Sequence, residues 1–188
     1  AFQYVENIQA ATDQLQSMAD SLRDLAQLQR SGILLETTVQ DVRPIVSEAV
    51  SGIEMGARQE HHRSVSSQLA ESPLYADVHK ESLRRVIDNL TSNAVQYSDR
   101  DDTVTVYASA GTEAPSVIPG GNDVSALQRE NAVRITVADN GPGIEGELLN
   151  ELFEPYVRGD TGSGSGLGLT VANELTEAMG GVIEVRSA

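Results

Sequence analysis

Two helix asparagines and two clusters of glycine are the residues of this chain whose types and spacing could do chemistry. Asn89 and Asn93 stand four apart in the run VHKESLRRVIDNLTSNAVQYS (78–98), with Gln96 three further on. In a helix that spacing places them on one polar face. Amide oxygens are hard ligands that suit Mg2+, which takes few protein groups and keeps waters and phosphate oxygens. Two helix asparagines alone are more often solvated surface, so the glycines beside them decide the reading. Eight of the sixteen glycines fall in residues 139–169, DNGPGIEGELLNELFEPYVRGDTGSGSGLGL. They form the clusters Gly141/Gly143/Gly146 and Gly162/Gly164/Gly166/Gly168. Glycine lets backbone approach a ligand with no Cβ in the way. Two such clusters around a short helical run fit one ligand held by two loops. The second cluster runs into LGLTVANELTEAM, a helix whose free N–H groups and positive dipole end favour phosphate.

Two better-known phosphate motifs fit poorly. Gly141-Pro-Gly143-Ile-Glu-Gly146 matches G-x-G-x-x-G, but a dinucleotide fold needs a long helix and a parallel strand straight after it. Here the helix ends by Pro155 and a second glycine loop follows. A P-loop is excluded, because Lys80 is the only lysine and no glycine loop precedes it.

Taken together, NLTSNAVQYS (89–98), DNGPGI (139–144), LFEPY (152–156) and GSGLGL (164–169) resemble the N, G1, F and G2 boxes of sensor histidine kinases, in order and well spaced. Residues 1–32, ending LRDLAQLQRSG, resemble the second helix of that family's dimerisation and phosphotransfer hairpin. The resemblance covers essentially the whole chain. It implies an α+β fold, a two-layer α/β sandwich of the Bergerat ATP-binding type, with residues 33–188 as the catalytic domain behind an N-terminal coiled-coil helix.

It also implies the roles of residues. Asp139, as a buried carboxylate at a strand end, accepts from the adenine amino group. Gly141, Gly143 and Ile144 border the base. Asn93 ligates Mg2+, with Asn89 one turn away near metal and phosphates. Gly164, Gly166 and Gly168 present N–H groups to the phosphates, with Leu167 among the nucleotide-binding residues, under a lid at 157–165. Arg158 is a candidate γ-phosphate contact, and Phe153 and Tyr156 are packing residues that seat the lid. In related ATPases such as Hsp90 and gyrase a glutamate that activates water stands where Asn89 stands. An amide cannot be that base, which favours transfer to a protein side chain over hydrolysis. The implied partners are a second copy, joined through residues 1–30 as a homodimer, and the receiver domain of a response regulator. The implied location is the cytoplasm, with any membrane attachment in segments outside these residues.

The chain departs from the family pattern in places. The phosphoacceptor box is absent, and His61, His62 and His79 are read as solvated surface residues. The acceptor histidine is expected upstream of Ala1, so this fragment should not phosphorylate itself. Gln96 replaces a usual basic residue, the lid is short, and the strand expected after residue 186 is missing. A degenerate, non-catalytic module that uses nucleotide for structure and pairs through residues 1–30 is the alternative. A serine-directed kinase is disfavoured by the leading helix.

The elements that must position these residues follow from periodicity. Tyr4, Ile8, Ala11, Leu15, Met18, Leu22 and Leu25 mark a coiled-coil seam over residues 1–30, stopped at Ser31-Gly32. Residues 33–40 suit a strand. Asp41 caps a helix to about Met55, burying Val42, Ile45, Val46, Ala49, Val50 and Ile53. Short strands are expected at 64–69 and 73–76. Asp77 caps a helix over 78–97 that buries Val78, Leu83, Val86, Ile87, Leu90 and Ala94. Strands at 103–109 and 132–139 flank a long Gly/Pro/Ser/Asn-rich loop. A short helix at 147–153, a helix at 166–179 and a last strand at VIEVRS complete an arrangement of antiparallel meanders with helices on one face.

The charge bounds the partners. Asp and Glu number 28 against 13 Lys and Arg, for a net −15. A nucleic-acid-binding surface does not fit that balance. Excess acid with a single lysine fits a surface adapted to high salt. No cysteine is present, which removes disulfides and thiolate metal sites.

Overall fold

A computed structural model describes residues 12, 19, 35–60, 63–99, 101–111, 132–157 and 165–187. The coiled-coil seam over residues 1–30, Arg158 and Gly164 lie outside these stretches, apart from Thr12 and Ala19.

The chain runs β1 (Thr38–Asp41), α1 (Arg43–Glu60), β2 (Ser64–Leu69), β3 (Tyr75–Val78), α2 (Lys80–Tyr97), β4 (Thr103–Ala110), β5 (Val133–Ala138), α3 (Gly146–Glu151) and α4 (Gly168–Ala178). One sheet has the order β2-β4-β5 and a two-stranded ribbon joins β1 to β3. Along β4, Val104, Val106 and Ala108 are buried, while Thr105, Tyr107 and Ser109 alternate with them on the more open face. Helices α1 and α2 lie on the buried face, and α4 packs against α2. The fold is therefore a two-layer α/β sandwich. Its core joins Val42, just before α1, Ile45, Val46, Ala49 and Val50 of α1 and Leu83, Ile87 and Ala94 of α2 to the inward valines of the sheet. A second cluster, Val86 with Val171, Ala172 and Leu175, seats α4 on α2.

Three local expectations are corrected. β2 and β4 pair in parallel, Val65 opposite Val104, so the sheet is mixed and not an antiparallel meander. Helix α2 is the crossover that a parallel pair requires. Residues 181–187 form no strand. Asp77 does not cap α2: it lies in β3 opposite Val39, and His79 is the cap. The imidazole Nδ1 of His79 accepts the Ser82 N–H at 3.3 Å, so this histidine is structural.

Asp41 does anchor α1. Its carboxylate accepts the Arg43 N–H at 3.2 Å and the Leu74 N–H at 3.1 Å. The Arg43 guanidinium reaches the same carboxylate at 2.7 Å and the Glu71 carbonyl at 2.7 Å. This knot ties the start of α1 to the 70–74 turn. α1 then runs on to Glu60, past the expected end at Met55.

Candidate nucleotide site along helix α2

The two glycine loops meet helix α2 at different points along it. At its C-terminal end, a Cβ placed on Gly141 would stand 2.9 Å from the Tyr97 carbonyl oxygen and 2.9 Å from Asp139 Oδ1. No side chain fits that slot. The Gly141 N–H donates to Asp139 Oδ1 at 2.9 Å. The carboxylate at the end of β5 is thus fixed to the first loop, and the loop rests on the last carbonyl of α2. Asp139 is exposed, not buried as a strand-end carboxylate was expected to be. Gly143 follows at a φ of 80°. The Ile144 N–H donates to Ser187 Oγ at 2.6 Å, which ties the chain beyond α4 to this loop.

Two turns earlier along α2, Asn89 meets the second loop. A Cβ on Gly168, the first residue of α4, would lie 3.7 Å from Asn89 Oδ1. Asn93 is half-buried one turn further along α2. Leu167 is buried, and its N–H donates to Ser165 Oγ at 3.2 Å. Gly166 has a φ of +71° and packs so closely that a Cβ would stand 2.9 Å from Tyr156 Cα. The Tyr156 N–H donates to the Gly166 carbonyl at 2.9 Å, so these two residues form the base of the segment between them. Tyr156 itself has a φ of 68° and is 65% exposed, so its ring is not the packing residue expected. Phe153 is half-buried.

Among the described residues, the structure brings Asp139 and Gly141 to one end of α2 and Asn89 and Gly168 to an earlier point on it. Asp88, beside Asn89, has its carboxyl pushed up from the ordinary range by burial, opposed by Arg84 at 3.7 Å. No three His, Cys, Asp or Glu side chains among the described residues converge to hold a metal. A shallow hollow lined by Pro44, Ser47, Glu48, Ser51 and Arg84 holds none of the site residues. Two contacts lacked a side-chain signal in the sequence: the Tyr97 carbonyl under Gly141, and the Tyr156–Gly166 backbone bond. Ser165 was legible as a hydroxyl just before a helix start.

Comparison with known proteins places this geometry. The chain is 29% identical over 181 residues to the sensor histidine kinase YcbM of Bacillus subtilis, covering 94% of this chain and 52% of that protein. It is 29% identical over 173 residues to a probable sensor histidine kinase of Mycobacterium tuberculosis, covering 90% of this chain and 39% of that one. The chain thus spans about half or less of these relatives' lengths. Its fold superposes on full-length ShkA, solved in complex with AMPPNP, with a TM-score of 0.68 and 26% identity over 95% of this chain and 34% of that one. The Acinetobacter baumannii histidine kinase AdeS has the same fold, at a TM-score of 0.65, 20% identity, 93% of this chain and 72% of that one. Residues 78–188, more than half of the chain and including every site residue above, match the model of one family, and the chain belongs to it: the histidine kinase-, DNA gyrase B- and HSP90-like ATPases.

Proposed function

We propose that the chain is the ATP-binding catalytic region of a sensor histidine kinase. Residues 33–188 form the catalytic domain and residues 1–32 the second helix of a dimerisation hairpin. The reaction moves the γ-phosphate of ATP to a histidine on a dimerisation helix, for relay to the receiver domain of a response regulator. One observation carries the reading. A single helix holds the purine-side loop at Tyr97 and the phosphate-side loop at Asn89. Eight residues of helix separate them by about 12 Å. A purine nucleoside with its phosphate chain can span that interval.

The residues present fit the ligand. The Asp139 carboxylate is exposed and has an oxygen to accept from an exocyclic amino group. Gly141, Gly143 and Ile144 border the base, and the slot at Gly141 admits no Cβ. Gly164, Gly166 and Gly168 bring N–H groups to the phosphates at the start of α4, with its dipole, and Leu167, whose N–H is held by Ser165, sets the loop between them. Arg158 adds a cation toward the γ-phosphate. Asn93 ligates Mg2+, with Asn89 beside it. Such a metal neutralises charge on the phosphates and needs few protein ligands. Phosphoryl transfer asks mainly for positioning and charge stabilisation. Asn89 cannot take a proton from water, which favours an incoming imidazole as acceptor.

The test supplies a separate dimerisation hairpin bearing its histidine, together with Mg-ATP. Acid-labile, base-stable phosphate on the hairpin is expected. Measured ATP binding with no label on the hairpin would favour a non-catalytic binding module.

A further inference from the structure

Helix α2 has no basic residue in its own last turn. The chain just beyond its C-terminal end is nevertheless held, by an arginine from far upstream. Arg63 sits in the link between α1 and β2. Its Nη2 donates to the Ser98 carbonyl and its Nε to the Asp99 carbonyl at 3.2 Å. Its own backbone is fixed, since its N–H donates to the Ala57 carbonyl at 3.2 Å and the next N–H, of Ser64, to the Asp102 carbonyl at 3.1 Å. The buried Ser98 hydroxyl and N–H both donate to the Ala94 carbonyl, at 2.6 and 3.0 Å. A cation at this end satisfies orphan carbonyls and opposes the negative pole of the helix.

What this clamp holds is the floor of the first glycine loop. Ser98 and Asp99 directly follow Tyr97, whose carbonyl meets the slot of Gly141. Gly141 in turn fixes the Asp139 carboxylate through its N–H. We propose that Arg63 is a positioning residue for purine recognition, fixing the chain at Ser98 and Asp99 where it leaves α2 and, through the adjoining Tyr97 carbonyl and Gly141, the place of Asp139. The inference rests on the nucleotide reading above. Arg63 touches no nucleotide in this account. The Tyr97 carbonyl oxygen lies only 2.9 Å from where a Gly141 Cβ would stand, so the loop passes close over the helix end and a shift of that end changes the spacing beneath it.

The test is calorimetric titration of the intact chain with Mg-ATP, and with Mg-GTP by competition, at a temperature where circular dichroism shows each variant folded. Guanine offers a carbonyl where adenine offers an amino group, so Mg-GTP gains little from Asp139. Arg63→Ala is expected to weaken Mg-ATP about tenfold and leave Mg-GTP unchanged. Arg63→Lys keeps the charge but gives up one of the two carbonyls, so it should show the same selective loss, smaller in size. It decides the matter if the alanine variant does not fold. Folded variants that bind Mg-ATP like the parent overturn the proposal. So do variants that lose both nucleotides in equal proportion, which marks a structural role only. A parent chain that binds no Mg-ATP overturns the nucleotide reading itself, before any variant is made.

Discussion

Gly168 faces Asn89: a Cβ added to the first residue of α4 would lie 3.7 Å from the Asn89 side-chain oxygen. This is ordinary van der Waals contact, so the close approach of α4 to α2 does not itself require glycine there. Two other glycines differ. A Cβ on Gly141 meets backbone at 2.9 Å, and Gly166 combines a φ of +71° with backbone at 2.9 Å. Gly168→Ala is therefore expected to change stability by less than about 1 kcal/mol. Gly141→Ala and Gly166→Ala should each cost about 1–3 kcal/mol. Urea unfolding of the three variants checks the order. Gly168→Ala as the most damaging would contradict the packing described.

Thr91 is completely buried on α2, and its hydroxyl has no hydrogen-bond partner among the described residues. Thr91→Val keeps the shape and removes the unpaired hydroxyl. It should stabilise the fold by about 1 kcal/mol, read as a higher urea midpoint with unchanged slope.

Acid should loosen the knot at the start of α1. The Arg43 guanidinium, bonded to Asp41, holds that carboxyl well below the usual carboxylate range, helped by the Leu74 and Arg43 N–H groups. The folded pKa lies under the unfolded one, so the stabilisation is complete above the unfolded value, about 3.9. It is lost as pH falls from there toward the folded value. Asp41→Asn should lower the urea midpoint at pH 7 and narrow its gap from the parent as pH drops below about 4. A gap that stays constant down to pH 2 would contradict the assignment.

The acidic surface predicts a salt response. With a net −15, self-repulsion should fall as ions screen it. The thermal midpoint should rise between dilute buffer and about 1 M KCl. A midpoint no higher in KCl would argue against adaptation to salt.

The apolar periods of α1 and α2 were legible because each helix buries one stripe against a sheet: Val42, Ile45, Val46, Ala49 and Val50 are all buried, as are Leu83, Val86, Ile87 and Ala94. Pattern reports which face is buried and not which strand is the neighbour. The parallel pairing of β2 with β4 therefore could not be read from it. Asp77 and His79 are both plausible caps by type. The choice between them was made by β3, which extends to Val78 to pair with Thr38. At the site, residue types pointed to Asp139, Gly141, Asn89 and Gly168. Gly168 meets α2 at the Asn89 side chain, but Gly141 meets it at the Tyr97 backbone carbonyl, which every residue has and no sequence distinguishes.

The central claim is that Asp139 accepts from an adenine amino group while holding the Gly141 N–H. Asp139→Asn separates these tasks, because it replaces one of the two acceptor oxygens by an NH2 group that only donates. Calorimetric titration of parent and variant with Mg-ATP reads the difference. The account predicts an affinity lower by about 100-fold, near 2.7 kcal/mol, with the fold intact by circular dichroism. A variant that binds Mg-ATP as tightly as the parent would contradict it.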